Sequence, residues 1–106
     1  MESLQPRIAI DREKLEAFCR KWKITELALF GSVLRDDFGP DSDVDVLVTF
    51  DPKSRWSLFD IVHVEDDLRE IFKRDIDLSE RIAIEKDPNY LLRKQILSTA
   101  RQVYAA

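Results

Sequence analysis

Two aspartates stand two residues apart in Asp43-Val-Asp-Val-Leu-Val48, and a second alternating segment, Asp75-Ile-Asp-Leu78, repeats the pattern. In an extended chain, side chains two apart project from one face, so each pair presents its carboxylates side by side. Such neighbours repel unless a cation neutralises them, and oxygen donors of this kind suit magnesium or manganese. Upstream, Gly31-Ser32 falls between a short apolar run and a segment with helical character. A glycine there lets backbone N–H groups approach an anion closely, and a helix start adds favourable partial charge, so Gly31-Ser32 reads as a phosphate cradle. Phosphate beside an acidic, cation-binding face points to a nucleotide. The chemistry of such a site is in-line displacement at phosphorus, with one ion activating the attacking oxygen and a second holding the triphosphate and leaving group. In this reading Asp43 and Asp45 bridge two Mg2+ ions, with Mn2+ as the alternative. Asp77 completes the shell on the nucleophile side and accepts the acceptor hydroxyl's proton. Ser32 bonds the triphosphate through its hydroxyl or N–H, and Arg35, one helical turn on, offers a fork of donors to the same phosphates. Asp75 competes with Asp77 for the third position, since both face the same way.

These residues need elements to hold them. Asp11 caps a predicted helix in which Leu15, Phe18, Cys19 and Trp22 share a face, ending near Lys23. Ile24–Phe30 is short, apolar and closed by Gly31, as a buried strand requires. One or two helical turns are expected over Ser32–Asp37, then a loop through Phe38-Gly-Pro-Asp41. Val44, Val46 and Val48 alternate with Asp43, Asp45, Leu47 and Thr49 and predict a strand whose other face carries the aspartates. Ser57 caps a long helix to about Phe72, with Leu58, Ile61, Val62, Leu68, Ile71 and Phe72 as its buried stripe. Asp75–Leu78 reads as a strand and Arg81–Glu85 as extended chain or turn. Asp87-Pro88 opens a last helix by a cap and an N1 proline, with Leu91, Leu92, Ile96, Ala100, Val103 and Tyr104 on its packing side. The expected architecture is α/β (α+β): a small mixed β-sheet packed by helices.

The 106 residues carry 17 Lys+Arg against 21 Asp+Glu, a formal net charge of -4, with 44% hydrophobic residues and only two glycines. That is enough chain for one core, and the absence of repeats, linkers or charge blocks makes residues 1–106 read as a single domain. Cys19 is the single cysteine. It cannot form an internal disulfide, so the stapled secretory class is excluded and a cytoplasmic address is expected. Neither a signal-type leader nor an apolar run long enough to span a bilayer is found, so no membrane partner is expected. The acidic balance argues against direct nucleic-acid binding.

Several residues take blander readings. Asp41, Asp43 and Asp45 mimic the start of a calcium loop, but Val46 stands where its glycine belongs and Pro52 where its closing Glu belongs. Cys19 reads as a small core residue and His63 as part of a solvated face. Trp56 follows a loop, and core packing competes there with stacking on a base or anchoring of a partner. Helix packing is the stronger reading for Tyr90 and Tyr104. Arg20, Lys21 and Lys23 read as a solvated helix end.

From Leu29 to Val48, Leu-Phe-Gly-Ser-Val-Leu-Arg-Asp-Asp-Phe-Gly-Pro-Asp-Ser-Asp-Val-Asp-Val-Leu-Val, with a third carboxylate in Asp75-Ile-Asp-Leu78, the chain resembles the polymerase-beta-like nucleotidyltransferase superfamily. Within it, the chain is similar to the minimal nucleotidyltransferase (MNT) family. The resemblance favours Asp77 over Asp75, and Gly31, Ser32, Asp43, Asp45 and Asp77 all stand where the family's pattern has them. It therefore implies an active transferase. It further implies that AMP moves from ATP to a tyrosine hydroxyl of a HEPN-domain toxin, with this chain as the antitoxin in a hetero-oligomer. An antitoxin that neutralises by binding alone, and a small-molecule nucleotidyltransferase, are the alternative expectations. The second is disfavoured by the lack of the added drug-binding domain of the larger aminoglycoside enzymes.

Overall fold

The computed structural model describes residues 8–35 and 38–106. Helix α1 (Arg12–Lys21) begins as expected, with the Asp11 side chain accepting from the Lys14 N–H, and leads into strand β1 (Ile24–Phe30). A single 3-10 turn over Gly31–Leu34 follows, then β2 (Val44–Phe50). Helix α2 (Leu58–Phe72) starts in a reciprocal cap: Asp60 N–H donates to Ser57, and the Asp60 carboxylate accepts from the Ser57 N–H. Strand β3 (Ile76–Glu80), α3 (Arg81–Glu85), α4 (Tyr90–Thr99) and β4 (Arg101–Ala105) complete the chain.

The sheet runs β3-β2-β1-β4. Strand β1 is antiparallel to both β2 and β4, while β2 and β3 are parallel, so α2 is the crossover that a parallel pair demands. Val44, Val46 and Val48 of β2 join Leu27 and Leu29 of β1 in the main core under α1 and α2. On the opposite face Ala28 and Leu47 meet Ile96 of α4, with Ile84 of α3 against them. Both faces are thus covered, and the alternation that buries the valines turns Asp45 to the α4 side.

Among the described residues no helix is long and apolar enough to cross a membrane. Cys19 is fully buried among Leu15, Phe18 and Trp22, and burial pushes its thiol up to about 12, which fits a packing role. The Trp56 ring meets Trp22 edge-on at 5.2 Å, and its Nε1 donates to the Trp22 carbonyl at 3.0 Å, so its partner is the core. Trp22 in turn donates to Asp67 at 2.9 Å, and Lys21 reaches the same carboxylate at 3.0 Å. Burial alone would raise the Asp67 carboxyl, but these two hydrogen bonds and the charges of Lys21 and His63 more than offset it, and the net shift is downward.

Six expectations are corrected. The helical segment after Gly31 is one 3-10 turn, and Arg35 is already extended; Asp36 and Asp37 lie outside the described residues. The buried stripe of α2 is Val64, Leu68 and Phe72, whereas Leu58 and Val62 are exposed, because only the later turns of the helix lie on the core. Arg81–Glu85 is a short helix, closed by an Arg81–Glu85 ion pair at 3.6 Å and seated by Ile84. The last helix is capped by Asn89, whose side chain accepts from Leu92 N–H; Asp87 instead accepts from Asn89 N–H. It ends at Thr99, and Val103 and Tyr104 belong to β4, where pairing with β1 satisfies their backbone. Tyr90, Leu91 and Leu92 are exposed on α4, so Tyr90 and the two leucines do not pack as expected.

Candidate active site

The site is built where β1 ends and β2 and β3 begin. Phe30 pairs with Asp45 across the antiparallel ladder, and Asp45 pairs with Asp77 across the parallel one. The register therefore sets the last residue before Gly31, and two of the three predicted carboxylates, in one row across three strands. Asp43 precedes β2 by one residue and shares the parity of Asp45. It is exposed, as are Asp75 and Asp77, while Asp45 is half-buried.

Gly31 is what lets the row close up. Its φ is +77°, a region that costs an L side chain about 1–2 kcal/mol, and a Cβ there would run into Oδ2 of Asp45, with Cγ of the same residue at 3.1 Å. The turn backbone thus lies directly on the carboxylate. Ser32 follows within the 3-10 turn, half-buried, and its carbonyl accepts from the Arg35 N–H at 2.9 Å. A single such turn contributes little macrodipole, so any anion binding here rests on the glycine-permitted approach of N–H groups and on cations.

The electrostatics identify Asp45 as the centre. Its carboxyl is raised above the ordinary range, first by burial, then by the charges of Asp77 and Asp43, and Arg35 partly counters this. The three predicted metal ligands are therefore close enough to feel one another, and Arg35 faces the acids. Among the described residues no three His, Cys, Asp or Glu side chains already converge in a ready-made metal cage. The fit of a divalent cation rests on the donor chemistry: oxygen ligands whose mutual repulsion a cation would relieve, beside a glycine whose missing side chain lets the turn approach Asp45.

An open cleft of about 610 Å³ adjoins the acids, lined by Asp43 and Asp75 together with Arg69, Lys73 and Arg74. A second cavity of about 510 Å³, lined by Trp56, Ile61 and Ile82, lies at the opposite ends of β2 and β3 and contains none of the predicted site residues. Arg74 went unnoticed in the sequence. Its Nη1 donates to the carbonyls of Gly39 at 2.6 Å and Ser42 at 3.0 Å, beneath the loop that delivers Asp43. No spacing rule signals an arginine that binds backbone carbonyls, so only its place one residue before Asp75 could have drawn notice.

Residues 11–104 match the family model described as Nucleotidyltransferase domain. A Methanocaldococcus jannaschii protein named "Putative protein adenylyltransferase" is 29% identical over 84 residues, which cover 79% of this chain and 84% of the relative. The solved structure of a "putative minimal nucleotidyltransferase" is 28% identical with a TM-score of 0.64, over 84% of this chain and 85% of that one. A chain from the complex of tri-AMPylated Shewanella oneidensis HEPN toxin with MNT antitoxin aligns over 89% of this chain and 69% of its own length. Its TM-score is 0.58 at 19% identity, a likeness of fold. With its glycine turn against Asp45 and the family model spanning nearly every element of the sheet, the chain belongs to the nucleotidyltransferase domain family.

Proposed function

We propose that this chain, as one minimal domain, is a magnesium-dependent adenylyltransferase. It moves AMP from ATP to a tyrosine hydroxyl of a HEPN-family toxin and so acts as that toxin's antitoxin. The observation that carries the reading is the row Gly31–Asp45–Asp77, in which a glycine turn lies on a carboxylate whose charge is disfavoured first by burial and then by its acidic neighbours. The relative named for protein adenylyl transfer and the complex holding a tri-AMPylated HEPN toxin support AMP as the group and a HEPN protein as the partner.

Asp43, Asp45 and Asp77 would hold the divalent ions, which when bound supply charge neutralisation at the phosphates and an activated attacking oxygen. The chain's own residues do the rest. Ser32 and the backbone N–H groups of the turn bind the triphosphate, and Arg35 balances its charge. The acceptor oxygen bonds to the α-phosphorus, the bond from that phosphorus to the β-bridging oxygen breaks, and pyrophosphate leaves with the electron pair. Asp77 takes the hydroxyl proton.

The test is incubation of the chain with its partner, Mg2+ and each nucleoside triphosphate, followed by intact mass and peptide mapping. An AMP-sized gain on a partner tyrosine is expected with ATP, and Asp43→Asn/Asp45→Asn should lower its rate at least about a hundredfold. A second reading, neutralisation by contact alone, is favoured by the exposed apolar side chains Leu58, Phe59 and Val62 on α2 and Leu91 on α4. Full neutralisation by the double variant without any mass gain would establish that reading instead.

A further inference from the structure

We propose that Arg74 is a positioning residue for Asp43: its guanidinium ties the loop that carries Asp43 to the start of β3, which carries Asp77. The inference rests on the reading of Asp43 as a metal ligand. Asp43 lies outside β2, so the β2–β3 ladder does not fix it; that pairing begins with the Val44 N–H donating to the Asp75 carbonyl at 2.9 Å. What precedes Val44 is a tight loop. Ser42 N–H donates to the Gly39 carbonyl at 3.1 Å, and Gly39 N–H donates to Ser42 Oγ at 3.0 Å.

This closure uses only one of the two acceptor positions of the Gly39 carbonyl, and Arg74 donates to that carbonyl as well as to Ser42's. One nitrogen of its guanidinium bonds both ends of the loop, Gly39 at 2.6 Å and Ser42 at 3.0 Å, while the group lies 4.3 Å from the Phe38 ring centroid. These bonds are charge-assisted, and a planar group that stacks and donates at once holds its target more firmly than a flexible ammonium. Lys73 sets the approach: it ends α2 in the left-handed conformation, and the chain turns there into the segment that carries Arg74. Ser42, gripped through its carbonyl, is the residue before Asp43.

A positioning role and a merely nearby charge predict opposite signs. Removing a positive charge beside a cation site strengthens cation binding by Coulomb's law, whereas releasing the loop weakens it. The experiment measures Mn2+ binding to the whole chain by paramagnetic resonance of the free ion, with amide exchange followed over residues 39–44. Arg74→Met should raise the Mn2+ dissociation constant about tenfold and speed exchange over 39–44 while leaving Val46–Val48 unchanged. Arg74→Lys, which keeps the charge, should fall between wild type and Arg74→Met. If Arg74→Met fails to fold, Phe38→Leu takes its place, with a smaller rise expected in the same direction. Unchanged or tighter Mn2+ binding, or unchanged exchange over the loop, would overturn the proposal. An Asp43→Asn control separates the two claims: if it leaves Mn2+ binding unaltered, the ligand reading of Asp43 fails and this inference falls with it. If Asp43→Asn weakens binding and Arg74→Met does not, only the role of Arg74 falls.

Discussion

At Asp45 the demands of chemistry and of folding oppose each other. Burial and two like charges raise its carboxyl, so ionising it costs the folded chain more than the unfolded one. The linkage follows directly: as pH rises from the ordinary carboxylate range through the raised value, the unfolded chain has already ionised while the folded one has not, and stability is lost. Asp67 works the other way, because its lowered carboxyl contributes stability above the ordinary range that disappears as pH falls through the lowered value. Asp45→Asn should therefore raise the thermal midpoint relative to wild type, by a gap of up to a few degrees that widens from acid to neutral pH while transferase activity is lost. Calorimetry across that range checks it; a midpoint lowered at neutral pH would mean that the carboxylate supports the fold. The glycine beside it leaves no room for compromise, since any side chain at residue 31 displaces Asp45.

Helix ends show where an element is held against its own preference. Lys23 and Lys73 both adopt positive φ, at 56° and 57°, and the second closes α2 with its N–H donating to the Arg69 carbonyl at 2.7 Å. Lysine pays the left-handed penalty there that glycine would not, so Lys73→Gly should stabilise the chain by about 0.5–1 kcal/mol in denaturant unfolding, with the slope unchanged. Such a position is invisible in a sequence, because nothing about lysine marks it. Other boundaries were plain: Asp11 and Ser57 cap α1 and α2 as their side-chain chemistry demands, and the valine alternation marks β2. Strand β4 was hidden because no glycine or proline separates it from α4, and the apolar residues from Leu91 to Tyr104 continue at helical spacing. On α2 the first-turn apolar residues mimic a core stripe, yet Leu58 is 85% exposed and Val64 fully buried. For the candidate site, the row that brings Gly31, Asp45 and Asp77 together was legible because alternating aspartates mark one strand face and a glycine after an apolar run marks a turn, whereas the grip of Arg74 on backbone carbonyls leaves no pattern to read.

Across the whole molecule, the parallel β2–β3 pair makes the acidic row a product of the complete fold. Asp45 meets Phe30 and Gly31 through a short connection, but Asp77 arrives only after α2 has crossed the sheet. The two tryptophans sit at the other end of the same strands. Ile24 pairs with Phe50 near the Trp22–Trp56 contact, and Phe30 pairs with Asp45 at the site, five or six residues away, or about 17–20 Å. Because the chain has no other tryptophan, its intrinsic fluorescence reports this one junction. Denaturation should shift the emission to the red, whereas saturation with Mg2+ and a non-hydrolysable ATP analogue should leave its maximum unmoved; a shift on nucleotide addition would show the two ends to be mechanically linked. With that outcome the indole pair serves as a built-in optical reporter of foldedness that is blind to ligand. With it, an inactive variant can be sorted in one spectrum into a chain that has lost its structure and a chain that has lost only its chemistry.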